Sequence, residues 1–152
     1  MYKNIFITEN LKELELKVKS KDKLIIRWNA STNYEKKEEI NLIKYIDERS
    51  NEYREKYLRI IDEILNYKFK ENFIHDYIDI NQKMDFKNFE ILQKDNIHKS
   101  KYINDLLRLL ALEDILKKLK IKRIFLRINN INVKRVIKDF ALKNKIRLFI
   151  IK

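Results

Sequence analysis

Apolar residues recur along this chain with two periods, and the period changes from segment to segment. "NIFIT" (4–8) and "KLIIRWN" (23–29) are short apolar runs that predict strands, with Leu24, Ile25 and Ile26 consecutive in the second. Between them "LKELELKVK" fits either period: Leu14, Leu16 and Val18 alternate, while Leu11 and Leu14 suit a helix. Three-four spacing then predicts a helix over 34–48, with Ile40, Ile43 and Ile46 or Leu42, Tyr45 and Ile46 inward. A second helix is predicted over 52–67, carried by Tyr53, Tyr57, Ile60, Ile61 and Ile64. The stretch 70–96 has weaker periodicity and scattered aromatics and reads as irregular, with short helical or extended pieces.

The last third is the most regular. Ser100 is placed to cap a helix whose inner stripe is Ile103, Leu106, Leu107, Leu110, Ile115 and Leu119. "KRIFLRI" (122–128) predicts a strand. "NINVKRVIKDFALKNK" (130–145) predicts a helix with Val133, Val136, Ile137, Phe140 and Ala141 inward, and "IRLFIIK" (146–152) a further strand. Two helix–strand units in series predict a parallel sheet, because a crossover helix returns the chain to the same edge. The expected fold is therefore α/β: one Rossmann-like domain over 1–152, a parallel sheet flanked by helices, with an irregular insertion near 70–97. A strand as apolar as "LFII" needs cover on both faces. It is expected either to be inserted centrally or to belong to something longer, such as one lobe of a two-lobed enzyme.

Composition narrows the chemistry. Hydrophobic residues make up 45% of the 152 and aromatics 11%, the content of a folded protein. There is no cysteine, hence no disulfide or thiolate chemistry. Ordinary usage would give roughly ten glycines and seven or eight prolines; this chain has neither residue. A P-loop and a GxGxxG fingerprint are thereby excluded, and no cofactor is expected. Turns that need positive φ are expected to use Asn or Asp. No apolar run reaches the ~20 residues of a bilayer span, and "MYKNIFITEN" lacks a secretory h-region. A cytoplasmic location is expected, peripheral to the inner membrane at most.

The net charge of +12 is lopsided. Residues 1–97 hold 19 basic and 19 acidic side chains, and residues 98–152 hold 16 and 4. Such a basic region suits an anionic ligand or nucleic acid, although a Lys-, Asn- and Ile-rich codon bias would also produce it.

Ligands of open parallel sheets gather at the carboxyl ends of the strands. Here "RWNAST" and "RINN" put Asn29, Ser31, Asn129 and Asn130 in that position, neutral groups suited to orienting a hydroxyl-rich ligand. The same residues are common turn and cap formers. Lys99 and Ser100, after His98, open the leucine-rich helix, where free N–H groups and positive charge suit a phosphate or carboxylate or where Ser100 acts as a plain cap. "HDYID" (75–79) matches no zinc spacing and is expected to be a polar loop; no metal site is expected.

"KSKYINDLLRLLALEDILKKLKIKRIFL", with "RWNAS" behind the earlier strand, resembles the N-terminal region of a family of transferases of bacterial surface-carbohydrate (O-antigen or capsule) biosynthesis. In that family a Lys-Ser pair precedes a leucine-rich helix and a strand, and a strand ending in a Trp-containing polar turn lies upstream. The likeness is clearest over 98–151 and extends back to 23. It implies a lobe of a two-lobed, GT-B-like glycosyltransferase. In such enzymes the sugar nucleotide is held mostly by the C-terminal lobe and the acceptor by the N-terminal one. This chain is far shorter than the family's members, so the resemblance implies an acceptor-side lobe without a donor site, inactive unless a partner chain supplies one. It carries no catalytic residue onto this sequence. The second expectation is a small basic nucleic-acid-binding module using residues 98–152.

Overall fold

The computed structural model describes residues 4–9, 23–29, 38–69, 71–73 and 101–151. They form β1 (Asn4–Thr8), β2 (Lys23–Arg27), β3 (Glu39–Asn41), α1 (Leu42–Asp47), α2 (Ser50–Leu65), β4 (Lys68–Phe69), β5 (Asn72–Phe73), α3 (Lys101–Lys118), β6 (Arg123–Arg127), α4 (Ile131–Lys143) and β7 (Arg147–Ile150). The chain separates into two compact units, one of residues 1–49 with 108–152 and one of residues 50–107, the division falling inside α3.

The first unit holds a five-stranded sheet in the order β3-β2-β1-β6-β7, every neighbouring pair parallel. This is the Rossmann-like α/β arrangement that the two helix–strand units predict. Strands are added outward from β1 to β3, and the chain then returns to the other side of β1 for β6 and β7. The sheet reverses its order of growth between β1 and β6.

Register and alternation give the sheet two unlike faces. One face is aliphatic: Ile40 on β3, Leu24 and Ile26 on β2, Ile5 and Ile7 on β1, Ile124 and Leu126 on β6, Leu148 and Ile150 on β7. Ile5, Ile7, Ile26, Ile124 and Leu126 are wholly buried, each contributing about 1.5–3 kcal/mol by leaving water. The other face alternates polar and aromatic rows. Lys23, Asn4, Arg123 and Arg147 make one row; Glu39, Ile25, Phe6, Phe125 and Phe149 the next; Asn41, Arg27, Thr8 and Arg127 the third. In the middle row Phe6 and Phe125 stack at 4.5 Å with planes 6° apart, and Phe125 and Phe149 at 5.0 Å and 15°.

Helices complete this unit's core with Leu42 of α1, Ala111, Leu112, Ile115 and Leu116 of α3, and Val133, Ile137 and Ala141 of α4. The stripe read for α4 holds at these three positions; Phe140 is half-buried and Val136 exposed. In α3, Ile115 is buried as read, Leu110 and Leu119 are only half-buried, and Ala111, Leu112 and Leu116 are buried alongside Ile115.

Three expectations are corrected. Residues 39–41 are a strand, because Ile40 pairs with Ile26, and the predicted helix starts only at Leu42, where the Asn41 side chain accepts from the Ile43 and Lys44 N–H groups. Of the two alternatives for the last strand, central insertion is ruled out: among the described residues β7 is an edge strand, with Phe149 and Ile150 exposed. Among the described residues, positive φ falls on Lys145 (55°) and not on an Asn or Asp. Lys145 follows the α4 cap residue Asn144: its N–H donates to the Leu142 carbonyl and that of Ile146 to the Ala141 carbonyl, the two bonds of a Schellman ending.

The second unit contains α2, the β4–β5 hairpin and the first two turns of α3. Tyr53 and Tyr57 are buried one turn apart on α2, as their spacing predicts, whereas Ile60 and Ile61 are half-buried and Ile64 is exposed. Lys56 pairs with Glu52 at 2.8 Å and lies 5.0 Å from the Tyr53 ring centroid. Most of the stretch read as irregular, including "HDYID", lies outside the described residues.

Candidate functional site

The carboxyl ends of β1 and β6 flank the point where the sheet changes direction, the position at which Rossmann-like sheets receive ligands. β1 ends on Thr8, which is buried, and Glu9 follows it. The Thr8 carbonyl accepts from the Trp28 N–H at 2.9 Å, and the Glu9 N–H donates to the Arg127 carbonyl at 3.2 Å, so the ladder runs one residue past the strands on both sides. The Glu9 carboxylate then accepts from the Asn129 N–H at 3.2 Å. A side-chain carboxylate thus bridges the two strand ends. In dinucleotide-binding sheets this crevice carries glycines that let backbone N–H groups approach a diphosphate; here it carries a negative charge, which repels one.

Of the residues named from sequence, the structure brings Asn29, Asn129 and Asn130 to the carboxyl edge. Asn29 is exposed just beyond β2, after the buried Trp28. Asn129 is exposed and donates its backbone N–H to Glu9. Asn130 is the α4 cap: its side-chain oxygen accepts from the N–H groups of Asn132 and Val133 at 3.0 and 3.4 Å. Its side-chain carbonyl serves the helix, as the cap reading has it. Ser31, Lys99 and Ser100 lie outside the described residues.

Sequence reasoning passed over Glu9 and Arg27. Glu9 stands first after a strand that the topology makes central, a position that only the strand order reveals. Arg27 lies in the run "KLIIR" and forms a buried ion pair with Glu39 of the neighbouring strand; the side chains are 10% and 2% exposed. Beyond β3, a shallow hollow of about 130 Å³ is lined by residues including Glu39, Asn41 and Tyr45. That is well under the roughly 300 Å³ at which small-molecule sites begin. Arg49 stacks on Tyr45 at 4.0 Å beside it.

The cations of 98–152 gather at the opposite, amino edge. Lys117 and Lys118 end α3, Lys143 ends α4, and Lys120, Lys122, Arg123, Lys145 and Arg147 lead into or open β6 and β7, all exposed. Cations at helix C-termini complement the helix dipole. Those on the strands have no such structural reason.

The chain matches no family model, and no curated protein or solved structure matches it at a significant level. No helix among the described residues is long and apolar enough to cross a membrane.

Proposed function

We propose that this chain is an acceptor-side, Rossmann-like lobe of a surface-carbohydrate glycosyltransferase-like protein, without a sugar-nucleotide site of its own. The observation that carries the reading is the reversal of strand order between β1 and β6, where the Glu9 carboxylate accepts from the Asn129 backbone N–H and the glycine-free sequence supplies no phosphate cradle. A carboxylate bonded to the Asn129 backbone, at the same sheet edge as Asn29, suits hydroxyl donors and disfavours diphosphates. The sequence resemblance over 98–151 supplies the substrate class. The partner this reading requires is a second lobe or chain that carries the donor.

Titration calorimetry with nucleoside-diphosphate sugars tests it: no heat of binding is expected. An oligosaccharide acceptor is expected to shift the backbone amide resonances of Asn29 and Asn129. Micromolar binding of the sugar nucleotide to this chain overturns the assignment.

The exposed cations at the amino edge favour a second reading, a nucleic-acid-binding module. Its mark is an affinity for RNA or DNA that falls steeply with salt. No binding at low salt removes it.

A further inference from the structure

The Phe6–Phe125–Phe149 row ends in the open. β7 is the outermost strand on its side of the sheet among the described residues, and Phe149 is 43% exposed. Rings whose centroids lie 5.0 Å apart with planes 15° from parallel are stacked, since coplanar rings cannot come so close. The outer face of the Phe149 ring is therefore turned past the sheet edge. Two positions toward the amino end of the same face, roughly 6.6 Å along the strands, Arg147 and Arg123 are register partners, both exposed. Like charges at neighbouring strand positions destabilise a sheet, and an anion held between them would relieve that repulsion. Lys122 and Lys145, each one or two residues before these arginines, add exposed positive charge.

A flat open ring face with guanidiniums one step away matches a nucleotide: a base for the ring and a phosphate for the arginines. In a duplex both faces of a base are stacked on its neighbours, so the match is to a single strand. We infer that the β6–β7 edge seats single-stranded nucleic acid, one base stacking on Phe149 as the fourth member of the row while adjoining phosphates pair with Arg147 and Arg123. The inference rests on the second reading above and names its site.

The test is fluorescence anisotropy of a labelled single-stranded oligonucleotide of roughly 15 nucleotides, titrated with the full chain at low salt. Phe149→Leu, which keeps the edge apolar, is expected to weaken binding roughly 5- to 150-fold, and Phe149→Tyr, which keeps the ring, to retain it. Arg147→Gln and Arg123→Gln are each expected to lower the slope of log affinity against log salt by roughly 0.7. Circular dichroism checks that the variants fold. If Phe149→Leu binds like the parent while the arginine variants weaken, the base seat is overturned and the nucleic-acid reading stands. Equal competition by inorganic polyphosphate, charge for charge, likewise overturns the base seat. Absence of binding by the parent chain overturns both.

Discussion

At the scale of single residues, Arg27 and Tyr57 show what burial does to polar groups. Arg27 and Glu39 are buried as a pair on neighbouring strands, and each charge is tolerated because of the other. Arg27→Met leaves the Glu39 carboxylate without its guanidinium, which is expected to cost about 3–5 kcal/mol. Arg27→Met combined with Glu39→Leu is expected to cost much less, because two apolar side chains then fill the space of the pair. Urea unfolding of the three proteins checks this; a double variant as unstable as the single one contradicts it. Tyr57 is neutral, and burial raises its phenol above the ordinary value of 10.0. A raised folded-state pKa means that the folded chain holds the proton more tightly than the unfolded one. The resulting stability is present below pH 10 and is lost as pH rises from there through the folded-state value. Tyr57→Phe is therefore expected to lose less stability than the parent between roughly pH 9 and pH 11, measured as the shift in urea midpoint. Equal losses would show that this phenol is not linked to folding.

At the scale of elements, the legible parts of the fold were those in which one short segment carries its own signal. α4 is an example. Val133, Ile137 and Ala141 repeat at helical spacing and are buried as read, and Asn130 before them takes the cap role that was the alternative to ligand binding. β3 was illegible because its three residues sit in a run that also satisfies helical spacing. Ile40 belongs to the sheet only because Ile26 lies beside it, and that pairing spans residues far apart in sequence. The candidate site divides in the same way. Asn29 and Asn129 follow from strand ends, while Glu9 needed the strand order, which no local pattern contains. The end of α4 shows the cost of a glycine-free composition. Lys145 takes the left-handed conformation at the position where helices usually place Gly, a strain of roughly 1–2 kcal/mol for an L-residue with a Cβ. Lys145→Gly is expected to stabilise the protein by about 0.5–1 kcal/mol, the relief being partly offset by glycine's greater freedom when unfolded. A rise in thermal midpoint checks it, and a fall would mean that the Lys145 side chain contributes more than its backbone loses.

At the scale of the sheet-bearing unit, stability and charge run in different directions. β1 is paired along its five residues on both sides, and its apolar residues Ile5, Phe6 and Ile7 are buried. Among the described residues, β3 pairs over three residues on one side only, and β7 over four. Opening free energies should therefore decline outward from β1. Native-state hydrogen exchange is expected to show the slowest amides in β1 and the central residues of β2 and β6, with β7 exchanging markedly earlier. The exposed cations crowd toward β6 and β7, where mutual repulsion acts on an edge strand paired over four residues. An anionic ligand bound there would remove that repulsion and hold the edge closed. Single-stranded oligonucleotide is thus expected to slow exchange in β7 and the adjoining residues of β6 while leaving β2 and β3 unchanged. Slowing spread evenly over the sheet would indicate nonspecific charge neutralisation. Protection confined to the carboxyl ends of β1 and β6 would move the ligand to the Glu9 crevice.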